Sequence, residues 1–456
     1  YCNYIKNLPK AQQSLEKFVA KYPNSTYVKR ANEIIERCKA KKQQDKAFKA
    51  YDKKMKKEKE AEIKEMEQTI LLEDAANMEK ISKDYKRAID YYKNDKYNEA
   101  ILVLENILKN HLQYLDPNML SSVNVRIGLC YAKRGIYSKA KIYFEEEIKI
   151  NPKNLIPRFE LAQTYISMGL HDKAFTVAEK FLEIKQEYAR AHGLLARCYY
   201  NKGLINKALK ELNKTLVSKD GTNMNYASAH TGLGNIYVDT GLYESAIKEY
   251  KRVQEIAPNY NAEYALYGIA RTYYYMGLLD EATEYYKKTR DKKEIPFLYN
   301  LWAEVYKEND NKSELEKTVK EGIKWYKKEI ENKKEDGVNY VGLSLLYGMF
   351  TQNLTEAEQL AKKAIELKPD HQSYYALGVY YQKTKNYNEA VKYLKIALEK
   401  NQSFTSGFFA LSKCYRALGM FAEAKKTCKK ALSINPKNRF IISELEKVNK
   451  KSSVVD

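Results

Sequence analysis

One anchor position sets the frame of this chain. An alanine recurs at Ala140, Ala174 and Ala208 at intervals of 34 residues, and the same place is held by Ala246, Ala282, Leu315, Ala357, Ala390 and Ala424 at intervals of 38, 36, 33, 42, 33 and 34. A period of this length marks a unit that cannot bury its apolar face alone, so neighbours must stack. The same chemistry returns around each anchor. Twelve residues earlier stand Gly128, Ala162, Ala196, Gly234, Ala270, Ala303 and Gly378, small enough to let two helices approach closely. Nine residues earlier stand Tyr131, Tyr165, Tyr199, Tyr237, Tyr273, Tyr306, Tyr381 and Tyr415, aromatics that can fill the gap between helices while their hydroxyls reach the edge. Gly135, Gly169, Gly203, Gly241, Gly277 and Gly419 end the first helix of the unit, and Pro152, Pro258, Pro369 and Pro436 close the second. A further unit around Tyr91 and Ala100 opens the continuous stretch.

The set Gly128, Tyr131, Gly135, Ala140, Phe144 and Pro152 resembles the tetratricopeptide repeat. The resemblance implies an all-α fold, a right-handed superhelical solenoid of helix-turn-helix repeats, and a scaffold for protein-protein interaction. Composition agrees, with 44% hydrophobic and 30% charged residues spread evenly over the chain, as many amphipathic helices require. The array is expected over residues 84–438 in about ten repeats. The unit around Tyr306 departs from the pattern, with Asp310 for the turn glycine and Leu315 for the anchor. A bend or break is therefore expected between Lys317 and Tyr340.

The ends read differently. Residues 1–32 look like part of another repeat, with Ala11 as anchor and Pro23 closing it, so chain upstream of Tyr1 is expected. Residues 33–83 are rich in lysine, glutamate and alanine and predict a long charged helix. Phe48, Tyr51, Met55, Ile63, Met66 and Ile70 form a thin apolar stripe on it, suited to a partner helix or the solenoid, unless the helix is an exposed spacer. The basic run Lys53 to Lys59 is expected to be simply hydrated, contact with an anionic surface through it being the alternative and the one route to a membrane. Residues 439–456 predict a capping helix, with Phe440, Ile441, Leu445 and Val448 inward, and a tail.

The chemistry expected is binding without catalysis. No phosphate loop, nucleophile elbow or metalloprotease pair occurs, no cofactor or metal is expected, and His111, His171, His192, His230 and His371 are scattered through the repeats. His192 and His230 could approach each other across neighbouring repeats. Six cysteines lack zinc-site spacing and read as buried apolar filler, although Cys414 and Cys428 could face each other across one hairpin. Asn213-Lys214-Thr215 is read as a chance match to a glycosylation acceptor inside a helix. The formal charge of +21 is dispersed lysine rather than a clustered arginine and aromatic surface, which favours a solvated exterior over nucleic acid.

In the family, the inner face of the superhelix is lined by first-helix residues about fifteen, eleven and eight positions before each anchor. The resemblance carries partner binding onto Phe159, Gln163, Ile166, Arg197, Tyr200, Asn235, Tyr267, Arg271, Tyr274, Tyr375 and Phe409. Such a groove suits an extended or helical peptide with apolar side chains and one or two carboxylates. The competing expectation is that the tyrosines pack between repeats. The phrase FVAKYPNSTYV resembles repeats of bacterial envelope proteins. That implies membership of a larger complex such as a flagellar-motor accessory, a secretion system or an outer-membrane assembly, in the periplasm or envelope, with the cytoplasm as alternative. Nucleic-acid binding and a chaperone adaptor are the alternative functions. The adaptor's two-carboxylate clamp is poorly matched, since its places hold Phe159, Gln163, Gly193, Arg197, Thr231 and Asn235.

Overall fold

The computed structural model describes residues 8–40, 49–260 and 262–452. Among these there are 23 α-helices, one short 3-10 turn and no strand. The fold is thus the all-helical, tetratricopeptide-like solenoid that the period predicts. The chain divides into two compact units, residues 1–90 with 105–116, and residues 91–104 with 117–456.

In the first unit, helices Leu8–Lys21 and Val28–Ala40 pair and are followed by the 45-residue helix Lys49–Lys93. Of the expected helix over 33–83 the described parts are helical, up to Ala40 and again from Lys49, and the latter helix runs on past residue 84 without a break. Phe48 lies outside the described residues, as do the side chains of Tyr51, Met55 and most of the basic run. The rest of the stripe is covered: Ile63, Met66 and Ile70 pack with Leu15, Ala31 and Ile35. The helix is thus held by packing over that stretch rather than standing alone as a spacer.

The second unit contains nine complete helix pairs, from Pro117–Lys133 with Tyr137–Ile150 to Thr405–Ala417 with Phe421–Ile434. All but one of these pairs close on a small residue twelve before the anchor; the exception, anchored on Ala357, has Leu345 there. A Cβ at Gly234 would lie 2.6 Å from the Tyr250 ring, and one at Gly128 equally close to Phe144. Tyr250 and Phe144 are fully buried, so the small residue is the slot into which the bulky one fits. The tyrosines nine before the anchor behave as expected: Tyr165 is 7% exposed and its hydroxyl donates to Glu145 at 2.6 Å.

The irregular stretch is continuous. Helix Lys312–Asn332 is 21 residues long and leads to Gly337–Phe350, with Tyr299, Ala303, Val319, Tyr326, Leu343 and Leu346 in one cluster. The expected break between Lys317 and Tyr340 is absent because a buried network spans it. The Tyr326 hydroxyl donates to Asn300 Oδ1 at 2.6 Å, and Asn300 Nδ2 donates to the Gly342 carbonyl at 2.9 Å. The capping helix Arg439–Ser452 is present, with Ile441 and Val448 fully buried and Phe440 and Leu445 partly so. Residues 453–456 lie outside the described set. Cys130, Cys198, Cys414 and Cys428 are buried free thiols, as core filler requires; the expected facing pair is not a disulfide, and Cys428 meets the Ser412 hydroxyl at 3.0 Å instead. Asn213-Lys214-Thr215 does fall inside a helix, with Thr215 buried.

The period does not announce how tightly the unit coils. The turns inside the first five pairs touch the junctions between later pairs, 197 residues further on at Ser138 and 200 at Gly203. A Cβ on Gly135 would lie 3.0 Å from Lys333 Cβ, and one on Gly169 3.1 Å from Lys368 Cγ. Glu335 accepts from Ser138 N at 3.1 Å and from its hydroxyl at 3.0 Å. Ser403 Oγ donates to the Gly203 carbonyl at 3.1 Å, and Asn435 Nδ2 to the Val238 carbonyl at 3.2 Å. Arg439 Nη2 donates to the Tyr274 carbonyl at 2.9 Å, and its guanidinium pairs through two bonds with Glu308. These contacts form a seam between successive coils.

The seam explains which turns must be glycine. Among the described residues, every one at positive φ except Phe297 sits five before an anchor, Ala100 included, and the set holds Asp95, Asp310 and Lys385 as well as the six turn glycines. Under the seam, a Cβ at Gly203 would lie 2.7 Å from Ser403 Oγ and 2.8 Å from Gln402 N, whereas Gly419 has nothing within 4 Å. Both Gly203→Ala and Gly419→Ala incur the left-handed conformational cost of about 1–2 kcal/mol. Gly203→Ala should lose more than Gly419→Ala, by about 1 kcal/mol or more, because the seam must also shift. Urea denaturation of the two variants checks this; equal midpoints would mean that the seam adds no stability.

Candidate inner binding face

The residues carried over from the family fall on the first helices of the second unit, but the structure gives them unequal fates. Ile166 and Tyr274 are 2% and 6% exposed and belong to the packing, which corrects their assignment to the groove wall. Tyr274 stacks on Phe440 at 5.3 Å, and Phe409 meets the same ring at 6.1 Å. Tyr375 packs edge-on against Phe404, Tyr267 packs against Tyr286, and Phe159 lies under Arg190. Much of the expected aromatic groove is therefore used between repeats and between coils. In a chain this rich in tyrosine, bulky rings brought to a concave surface meet one another first.

A polar network holds the middle of this face. Asn235 Oδ1 accepts from the Tyr250 hydroxyl at 2.8 Å and from Arg271 Nη2 at 3.2 Å. Asp239 accepts from the Tyr200 hydroxyl at 2.6 Å and lies 4.0 Å from Arg271 Nη2. Burial pushes the Asp239 carboxyl up against the opposing pull of Arg271 and of the Tyr200 hydroxyl. Arg271, Asn235 and Tyr200 are thus committed to each other.

Arg197 stands at the same register as Arg271, eleven before its anchor, and differs from it. Its side chain is solvent-exposed, and Nη1 donates to Gln163 Oε1 at 2.8 Å. Among the described residues no carboxylate comes within ion-pair distance of it. Desolvation lowers its pKa, opposed by Cys198, Tyr264, Tyr137 and Tyr260. Tyr137 belongs to an earlier pair, Tyr260 to a later junction and Tyr264 to a later pair. Water reaches Arg197, yet protein surrounds it.

Glu304 was not singled out in the sequence, although it too stands eleven before its anchor, Leu315. The register there was legible from Ala303, Tyr306 and Asp310, but spacing alone does not report burial. Desolvation raises its carboxyl to about 7, against the Tyr274 hydroxyl, Lys307 and Lys413 and with help from Glu308. Lys413, eleven before Ala424, has its pKa lowered by the same burial. The histidines do not assemble as expected. His192 and His230 each pair with a glutamate of their own hairpin, Glu211 at 2.6 Å and Glu249 at 2.5 Å. His171 and His371, distant in repeat order, instead feel one another across the seam beside Asp370 and Lys368. No group of three or more potential metal ligands is found among the described residues, and no described helix is long and apolar enough to cross a membrane.

The Glu304 carboxyl gives the face a pH signature. A carboxyl raised from 4.5 to about 7 in the fold contributes stability below pH 4.5 that is lost as the pH rises through about 7. Glu304→Gln removes that loss. Its stability relative to the parent should rise between pH 5 and pH 7.5 by up to about 3 kcal/mol, read from denaturation midpoints; a flat difference would mean that Glu304 ionises as freely as in water.

Comparisons with known proteins follow the same architecture. Family profiles described as tetratricopeptide repeat match residues 1–25, 121–154, 158–188, 225–294, 339–371, 371–402 and 406–438. No curated protein matches the chain. Among solved structures, the Cut9-Hcn1 hetero-tetramer of the APC/C is similar at 16% identity and TM-score 0.41 over 81% of this chain and 76% of that one. TTC0263, a thermophilic TPR protein of Thermus thermophilus, is similar at 19% identity and TM-score 0.35 over 42% of this chain and 98% of its own. MamA is similar at 26% identity and TM-score 0.29 over 37% of this chain and 94% of its own. With its profile matches covering more than half of its length, its nine helix pairs and its left-handed turns at a fixed register, the chain belongs to the tetratricopeptide-repeat family.

Proposed function

We propose that the chain is a scaffold that holds an extended segment of a partner protein along the inner face of its second unit, with Arg197 receiving a carboxylate of that segment. The observation that carries this reading is the contrast between two arginines in one register. Arg271 is neutralised by Asp239 and bonded to Asn235. Arg197 is reached by water, bonded to a neutral amide and without a described carboxylate. A guanidinium bonded only to a neutral amide keeps donors for an anion, and its fork matches a carboxylate through two bonds. Tyr264, 44% exposed, supplies adjoining aromatic area.

The finer assignment, to a component of a bacterial envelope assembly such as a flagellar-motor accessory, secretion or outer-membrane machine, rests on the FVAKYPNSTYV phrase and belongs to this proposal alone. The same is true of a periplasmic or envelope location.

The test compares two arginine variants of the full chain in affinity capture from the native organism. Arg197→Ala should leave the melting curve nearly unchanged and weaken the recovered partner by about 2 kcal/mol or more, the scale of a hot spot. Arg271→Ala should lower stability by about 2 kcal/mol, because Asp239 is then left buried without its cation. Undiminished binding by the Arg197 variant would remove the carboxylate from the proposal and move the partner to another surface.

A further inference from the structure

The seam constrains what can reach the inner face. Five successive turns, at Gly135, Gly169, Gly203, Gly241 and Gly277, each meet the junction one coil further along. At Gly135 the cover is Lys333 and Asp336, with Glu335 bound to Ser138; at Gly169 it is Lys368 and Pro369. At Gly203 it is Asn401, Gln402 and Ser403, at Gly241 Asn435 and Lys437, and at Gly277 Arg439. One contact per repeat leaves no gap wider than a single helix pair along that edge. Hydrogen bonds hold the cover down, since Ser403, Asn435 and Arg439 each donate to a carbonyl of the coil before. Phe440 adds apolar contact to Tyr274 and Tyr275.

The turns show how close the cover lies. A Cβ would collide at Gly203, 2.7 Å from Ser403 Oγ, and at Gly241, 2.4 Å from Asn435 Oδ1, while at Gly277 it would make ordinary contact with Arg439 at 3.7 Å. Past the seam the same register holds Asp310, Lys385 and the uncovered Gly419 at positive φ.

We infer that the inner face accepts a partner only as a free, extended polypeptide end that enters along the coil axis, and excludes a loop or flank of a folded domain offered from the side. The inference rests on the proposed binding at Arg197 for the chemistry of the occupant, a chain end carrying a carboxylate. The topology rests on the seam alone.

Access can be read without knowing the partner. In the full chain carrying Arg197→Cys, the introduced thiol is titrated with three maleimides, each corrected for the parent chain: a small one, one at the end of a linear polyethylene glycol, and one on the surface of a small folded protein. The small and linear reagents should label at similar rates, and the folded carrier at least about a hundredfold more slowly, as it must wait for the seam to open. Adding Arg439→Lys, which keeps the charge but loses the two-bond fork, should speed the carrier while leaving the linear reagent unchanged. Equal rates for carrier and linear reagent with the seam intact would overturn the inference while leaving the Arg197 proposal standing. Labelling by the small reagent alone would also overturn it, the space then being too narrow for any chain. Loss of partner capture in Arg197→Ala together with free access for the carrier would separate the two claims: binding at Arg197 upheld, entry by an end refuted.

Discussion

Everything above the level of a single helix depends on how closely two helices of a hairpin approach. A residue with no or minimal side chain in the first helix faces a large one in the second, as Gly234 faces Tyr250 and Gly128 faces Phe144. Gly268, from the following pair, closes on the same Tyr250 ring. One tyrosine thus fixes both the spacing within a hairpin and the spacing to the next. Interiors packed at this density transmit small offsets, so the rotation from pair to pair is set by the size of these slots.

That rotation accumulates until the coil meets itself. The seam is a consequence of curvature, but it is held by particular groups: Asn435 with the Val238 carbonyl, Ser403 with the Gly203 carbonyl, Arg439 with Glu308 and the Tyr274 carbonyl. In an open solenoid, contacts are confined to neighbouring repeats and stability is close to a sum of local terms. Here pairs distant in sequence share an edge, which couples the array beyond nearest neighbours. The same edge walls the inner space, and the capping helix, expected only to cover the last apolar face, also carries Arg439 and Phe440 into that closure.

Charge inside the coil follows from this enclosure. Three side chains at one register, Arg197, Arg271 and Glu304, differ in how far water reaches them and respond differently. Arg271 finds Asp239, Glu304 holds its proton to about 7, and Arg197 keeps a bond to Gln163 alone. Their environments, set by which tyrosines the coil folds over each, separate a structural ion pair from a group left to a partner.

The sequence by itself determined the repeat. Anchors at a near-constant interval, small residues twelve before them and tyrosines nine before them each answer to a local need, and local needs are written at fixed spacing. The left-handed turns, the cap and the inward stripe at Ile63, Met66 and Ile70 were legible for the same reason. The repeat at Leu315 was read in register, with Ala303, Tyr306 and the turn Asp310 at their places, yet Glu304 was missed because its burial, not its spacing, sets it apart. What only the tertiary structure decided is which inner residues remain free to bind. Tyr267, Tyr274, Tyr375 and Phe409 read alike in sequence as groove residues, yet Tyr267, Tyr375 and Phe409 pack on Tyr286, Phe404 and Phe440 of their own or the neighbouring unit, and the coil's return packs Tyr274 on Phe440. The seam depends on the sum of many small rotations between pairs, and no single repeat encodes a sum.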